Sequence, residues 1–171
     1  MAERKLTPEE RFKRWHVDIF THLEKTSEIK DGNGAIVALT AALPLYERWL
    51  EAEASKTNPK KSRAAVLVGD LGIATEDDAQ KFWNVFRDGL CHTGSFFSES
   101  GKSRSEGWTL PKIGLSADYP DKPLFKKAKT GEDAIFINPW GLIRHILKKY
   151  ENNVSLMQGV DAPMLELTID E

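Results

Sequence analysis

The sequence predicts a mainly α-helical single domain with a small extended or hairpin insertion before its last helix, and three observations carry that expectation. Apolar residues recur at intervals of three and four in several segments. Cap residues followed by proline or by carboxylates mark helix starts at Thr7, Thr75 and Asn138. The 171 residues, 40% hydrophobic and 29% charged, have an ordinary globular composition. A chain of that size buries about 70% of its unfolded surface, so neither disulfide nor metal is needed to hold it. The expected organisation is one domain over residues 1–171, with its core at 7–150, the insertion at 98–137 and a tail at 151–171.

The first helix starts at Thr7, where Pro8 takes the first helical position and Glu10 completes a capping box. Phe12, Trp15, Ile19 and Leu23 line one expected face, Glu9, Arg11, Lys13 and Arg14 stay wet, and the helix ends near Ser27. After the turn-rich Asp31-Gly32-Asn33-Gly34, the alanine and leucine content of Ala35 to Ala54 favours a second helix, which Pro44 should kink or split. Ser55 to Arg63 reads as a solvated, basic connecting loop; the short apolar run Ala64 to Leu71 fits a helical turn or a strand equally by its pattern, and its helical neighbours favour helix.

Thr75 is followed by Glu76, Asp77 and Asp78, which places carboxylates at the positive end of a helix dipole. A long helix to about Phe96 is expected, buried through Ala79, Phe82, Trp83, Phe86, Leu90 and Phe97 and widened by Val85. Gly89 interrupts it, costing about 1 kcal/mol relative to alanine, so a bend or a close backbone approach is expected there. Ser98 to Gly107 reads as a loop, and Trp108 to Leu115, Leu124 to Lys129 and Ala134 to Ile137 as an extended excursion. Asn138-Pro139 starts the last helix, whose buried face is Trp140, Ile143, Ile146, Leu147 and Tyr150. The remainder is expected to strap across the body through Leu156, Met157, Met164 and Leu165.

With 24 basic and 26 acidic side chains the net charge is −2, so there is no global positive field and any nucleic-acid contact must be local. The single cysteine, Cys91, cannot form an internal disulfide, and Met1 to Lys5 leads into charged residues rather than an apolar signal core. The longest apolar stretch, Ala35 to Leu43, is far short of the roughly 20 residues that span a bilayer. A cytoplasmic protein without a membrane partner is expected.

Histidines stand at positions 16, 22, 92 and 145. His16, His22 and His145 lie beside apolar stripes, where packing or surface roles are the simpler reading. Adjacent Cys91 and His92 lack zinc-ligand spacing, and neither a phosphate-binding glycine loop nor a serine-hydrolase elbow occurs, so no metal or cofactor is expected. What remains is Phe86-Arg87-Asp88-Gly89-Leu90-Cys91-His92. On a regular helix Arg87 and His92 are about 140° apart in azimuth and roughly 7.5 Å apart along the axis. A bend at Gly89, or the reach of arginine, can bring them to one cleft. A fixed guanidinium suits phosphate oxygens and an imidazole titrates near neutrality, the elements of metal-free phosphodiester cleavage. On spacing alone the signal is weak, and a solvated surface pair is the simpler reading.

The segment Phe82 to His92 resembles the signature of the HEPN superfamily, in which an arginine, a polar residue and, after four to six positions, a histidine lie on a late helix of a small helical bundle. Arg87, Asp88, Gly89, Leu90 and His92 match it, and the resemblance spans residues 7–150, although only eleven positions carry it specifically. It implies a metal-independent endoribonuclease acting on RNA through a 2′,3′-cyclic phosphate, of the kind found in toxin–antitoxin, antiviral defence and RNA-processing systems. Arg87 would bind the scissile phosphate, His92 would be general acid or base, and Asp88 would support Arg87. It also implies a homodimer that joins two motifs, here with Gly89 to Ser95 near the axis, and an antitoxin or regulatory protein as a further partner. The alternative within the same resemblance is a non-catalytic dimeric binding module. Two departures stand out. Members modified by a partner nucleotidyltransferase carry a tyrosine two positions after the histidine, where this chain has Gly94. The 98–137 insertion is foreign to the minimal bundle and is expected to serve as lid, substrate guide or oligomer contact.

Overall fold

In the computed structural model, residues 6–26, 33–90, 112–127, 129, 131 and 133–158 are described. The chain is mainly helical with one small sheet. Its first helical stretch has three parts: α1 (Pro8–Phe12), a π-helical turn π1 (Lys13–Val17) and α2 (Asp18–Lys25). The capping box forms as expected, Thr7 Oγ1 accepting from the Glu10 amide at 3.2 Å and Glu10 Oε2 from the Thr7 amide at 2.9 Å.

The π turn corrects the expected face of this helix. Each residue of an i→i+5 turn rotates less than in an α-helix, so the apolar stripe is delayed by about one residue. Phe12 and Phe20 are buried and Val17 packs on the core, whereas Trp15 and Ile19 are 39% and 42% exposed. Trp15 lies instead under the Arg14 guanidinium, 5.6 Å from its ring.

The central helix α3 (Asn33–Ala54) packs against α2, α4 (Arg63–Leu71), the π segment π2 (Asn84–Leu90) and α6 (Pro139–Lys148). Pro44 does not split it. The proline is on the exposed face, so its ring stands away from the core. On the opposite side Leu39, Leu43, Tyr46 and Leu50 are fully buried. The expected 55–63 loop ends one residue early. Arg63 opens α4, capped by Ser62, whose Oγ accepts from the Ala65 amide at 2.9 Å. Lys60 and Arg63 reach back to Glu51 at 3.3 and 2.7 Å and Lys56 pairs with Glu53, so these three bases are tethered to α3.

Thr75 caps α5 (Glu76–Trp83), its Oγ1 accepting from the Asp78 amide at 3.1 Å, and π2 continues the helix. Ala79, Phe82, Trp83, Val85, Phe86 and Leu90 are all buried, which agrees with the stripe read from the sequence. Each aromatic here supports the core by roughly 3–5 kcal/mol against truncation to alanine. Residues 91–111, with the end of the expected helix, the 98–107 loop, Phe97 and Trp108, lie outside the described residues.

Strands β1 (Lys112–Leu115), β2 (Leu124–Lys127) and β3 (Asp133–Ile137) form a sheet in the order β1-β3-β2. β2 and β3 are antiparallel, with Phe125 opposite Ile135, while β1 runs parallel to β3, with Ile113 opposite Ile135 and Leu115 opposite Ile137. The most apolar strand therefore takes the centre and the lysine-bearing strands take the edges. Ile135 and Ile137 are buried in the main core, so this part of the expected excursion is integral to the domain. On the outer face Gly114 leaves room for the Phe136 ring, which Tyr119 meets edge-on at 5.3 Å.

β3 leads directly into α6, whose cap Asn138 accepts from the Gly141 amide at 2.9 Å and donates to the carbonyls of Ala117 and Tyr119, each at 3.1 Å. A short helix α7 (Val154–Met157) follows, burying Leu156 and Met157 as expected, while Met164 and Leu165 lie outside the described residues. No helix among the described residues is long and apolar enough to cross a membrane.

Candidate functional site

Arg87 and Asp88 sit on π2, both half-buried, with Phe86 on one side and Gly89 and Leu90 buried on the other. Packing of π2 against α3 places Glu47 beside Arg87. Arg87 Nε and Nη2 both donate to Glu47 Oε2, at 2.7 and 2.6 Å, and the two side chains are 17% and 26% exposed. The other oxygen of Glu47 lies 3.3 Å from Arg63 Nη2, which also meets Glu51 at 2.7 Å. The Arg63 guanidinium lies 4.9 Å from the centre of the Trp83 ring. Two carboxylates and two guanidiniums thus alternate as Glu51, Arg63, Glu47, Arg87.

This arrangement orients Arg87, because two N–H groups directed at one oxygen fix the plane of the guanidinium. It also balances the charge. A phosphate approaching Arg87 would share that cation with Glu47 rather than meet an isolated positive group.

Cys91 and His92 lie outside the described residues. The regular-helix spacing expected between Arg87 and His92 does not apply as it stands, because Asn84–Leu90 is π-helical and turns less per residue. Of the expected triplet, the described part brings Arg87 and Asp88 to one turn and adds Glu47 and Arg63 to it.

A second polar cluster lies on the other side of Tyr46. Asp70 on α4 accepts from Tyr46 Oη at 2.5 Å and His145 Nε2 at 2.8 Å, and Lys149 Nζ pairs with its other oxygen. Burial works against the Asp70 charge, but the hydrogen bonds from His145, Lys149 and Tyr46 outweigh it and hold its carboxyl down at about 2. Burial first, and then the negative Asp70, push the Tyr46 phenol above its ordinary value. Tyr46 stacks on Trp49 at 5.7 Å, and the Lys149 ammonium sits 4.4 Å above the same indole. His145 is therefore a member of a polar network rather than a packing residue. His16, beside Phe12 with ring centres 4.9 Å apart, is a packing residue, and burial lowers its pKa.

A cavity of about 260 Å³ lies between α5 and the sheet, lined by Asp78, Lys81, Phe125, Lys127 and Asp133. Two of its lysines are paired locally, Lys81 with Asp77 at 2.6 Å and Lys127 with Asp133 at 2.5 Å. Among the described residues no group of His, Cys, Asp and Glu side chains could hold a metal ion.

Sequence reading missed Glu47, Arg63 and Asp70. The available signal for Asp70 was a lone carboxylate inside the apolar run 64–71, with His145 and Lys149 four residues apart on the last helical stretch. Comparison with family models, curated proteins and solved structures finds no match to this chain.

Proposed function

We propose that the chain is a HEPN-like, metal-independent endoribonuclease in which Arg87 binds the scissile phosphate, His92 exchanges protons and Asp88 supports Arg87. The observation that carries this reading is the pre-oriented guanidinium of Arg87, fixed by two bonds to Glu47 on a late helix of a mainly helical domain. An attacking ribose 2′-hydroxyl must lose a proton and the leaving 5′-oxygen must gain one, two jobs that one histidine cannot hold simultaneously. A homodimer that joins two motifs would supply both. The reading extends to a cytoplasmic toxin or antiviral effector controlled by an antitoxin or other regulatory protein.

One observation favours a second reading, a non-catalytic dimeric binding module. Glu47 and Glu51 balance Arg63 and Arg87, and a site without excess positive charge gains little from phosphate approach. The two readings separate on RNA degradation and growth arrest by wild type and His92→Ala. The nuclease reading expects His92→Ala to lose roughly 10²- to 10⁴-fold in rate at unchanged thermal stability. Equal degradation by the two proteins overturns the role of His92, and inert wild-type protein that still binds RNA supports the binding module.

A further inference from the structure

The alternating row Glu51, Arg63, Glu47, Arg87 is not bonded evenly. Glu47 Oε2 takes two N–H groups of Arg87 at 2.7 and 2.6 Å, whereas Glu47 Oε1 stands 3.3 Å from Arg63 Nη2. That second contact is long for a charge-assisted hydrogen bond, which closes to about 2.7–2.9 Å. Arg63 Nε is buried and meets no hydrogen-bond partner among the described residues. In a guanidinium, Nε and Nη2 share one edge, to which a carboxylate can bind with both oxygens. Arg63 therefore has an unfilled donor beside the one that Glu47 already approaches. Its own place is held from elsewhere, by Glu51 at 2.7 Å and by the Trp83 ring 4.9 Å away.

On Arg87 the corresponding edge is taken. Its Nε and Nη2 are the donors that would receive two oxygens of a phosphate, and a glutamate oxygen stands on both. Glu47 is thus a carboxylate in the position of a phosphate, half-buried, with a second arginine beside its other oxygen. We propose that Glu47 is an internal competitor for the phosphate seat of Arg87, and that it turns to Arg63 when an RNA phosphate takes that seat. The proposal rests on the nuclease reading's assignment of Arg87 to the scissile phosphate.

The exchange keeps every charge paired. A Glu47 left behind as a lone, partly buried carboxylate would oppose phosphate binding strongly, and closure of Arg63 Nε and Nη2 on its oxygens relieves that opposition. Arg87 passes from one anion to another, so a single phosphate gains little by binding. Net affinity must come from further contacts along a polynucleotide. The site therefore selects extended RNA over free phosphate. Glu47 is a positioning residue with two effects: it sets the plane of Arg87 before RNA arrives, and it keeps small anions off. Arg63 acts through Glu47.

The test is binding of a short, fluorescent single-stranded RNA to the full chain, its riboses 2′-O-methylated so that no attacking hydroxyl is present and the probe is not cut. Glu47→Gln keeps an oxygen for the two N–H groups of Arg87 and removes the charge. It should tighten binding about tenfold, a gain that loss of structure does not produce. Arg63→Gln should weaken binding about tenfold in the wild-type background, where Glu47 is left with Arg87 alone, and no more than about twofold in the Glu47→Gln background. Inorganic phosphate should compete with the RNA on Glu47→Gln and fail to compete on wild type at the same concentration. Binding that needs Arg87 yet is unchanged or weakened by Glu47→Gln overturns the competitor and leaves the nuclease reading standing. Equal weakening by Arg63→Gln in both backgrounds overturns the exchange onto Arg63. Phosphate that competes equally on both proteins overturns the selection against small anions. Binding indifferent to Arg87→Ala overturns the phosphate seat itself, and the nuclease reading's use of Arg87 with it.

Discussion

Replacing Asp70 by asparagine removes one charge from a carboxylate whose side chain is only 9% exposed and which serves Tyr46, His145 and Lys149 together. The carboxyl is lowered from 3.8 to about 2 in the folded state, and a unit of pKa shift is worth about 1.4 kcal/mol. The charged form therefore contributes about 2 kcal/mol at neutral pH. Because the folded value is depressed, this contribution is fully present above the unfolded value and is lost as pH falls through the folded one. Urea unfolding should show Asp70→Asn about 2 kcal/mol less stable than wild type at pH 7, with a melting temperature roughly 4–8 °C lower. The gap should shrink to about half by pH 3 and nearly vanish at pH 2. A gap below about 0.5 kcal/mol at pH 7, or one that stays constant down to pH 3, refutes the assignment of Asp70 as the charged centre of the network.

Glu47→Gln leaves Arg87 and Arg63 without their shared carboxylate in a partly buried place, and a loss of roughly 1–3 kcal/mol by chemical denaturation is expected; an unchanged midpoint would mean that the ion pairs are incidental. Thr75→Ala removes the cap of α5 and should cost about 1 kcal/mol, whereas Thr75→Ser should cost much less, both read from thermal melts. At Gly141 an added Cβ would stand 2.7 Å from the Cα of Asp121, so Gly141→Ala should destabilise by roughly 1–3 kcal/mol and a neutral result would show that this turn yields freely. Mixed dimers with one Arg87→Ala, His92→Ala protomer should lose most of the RNA cleavage if the site is composite; retention of half the wild-type rate would show that each protomer acts alone.

Local chemistry made most helix starts legible, and long-range pairing hid most of the polar architecture. Thr7, Thr75 and Asn138 cap the helices they were expected to cap, because a cap is settled within three residues. Trp15 and Ile19 misled because a π turn preserves helical composition while changing the phase, and nothing in a 3.6-residue pattern announces it. Pro44 did not split α3, and it stands on the exposed face of that helix. The partnership of Arg87 with Glu47 spans 40 positions and that of Asp70 with His145 spans 75, separations over which one sequence carries no pairing signal. Arg87 and Asp88 were legible as a candidate site through a motif. The carboxylate that orients Arg87 was not, because one glutamate on an amphipathic helix looks like another until α3 and π2 are packed together.

Whether the Arg87 and His92 motif cleaves RNA without metal is read from the ends left after incubation in excess chelator. Wild-type protein is predicted to cut RNA at an undiminished rate in chelator, leaving a 2′,3′-cyclic phosphate and a 5′-hydroxyl, while Arg87→Ala and His92→Ala leave the RNA intact. Cleavage that stops in chelator and returns with magnesium, or that survives both substitutions, would contradict it.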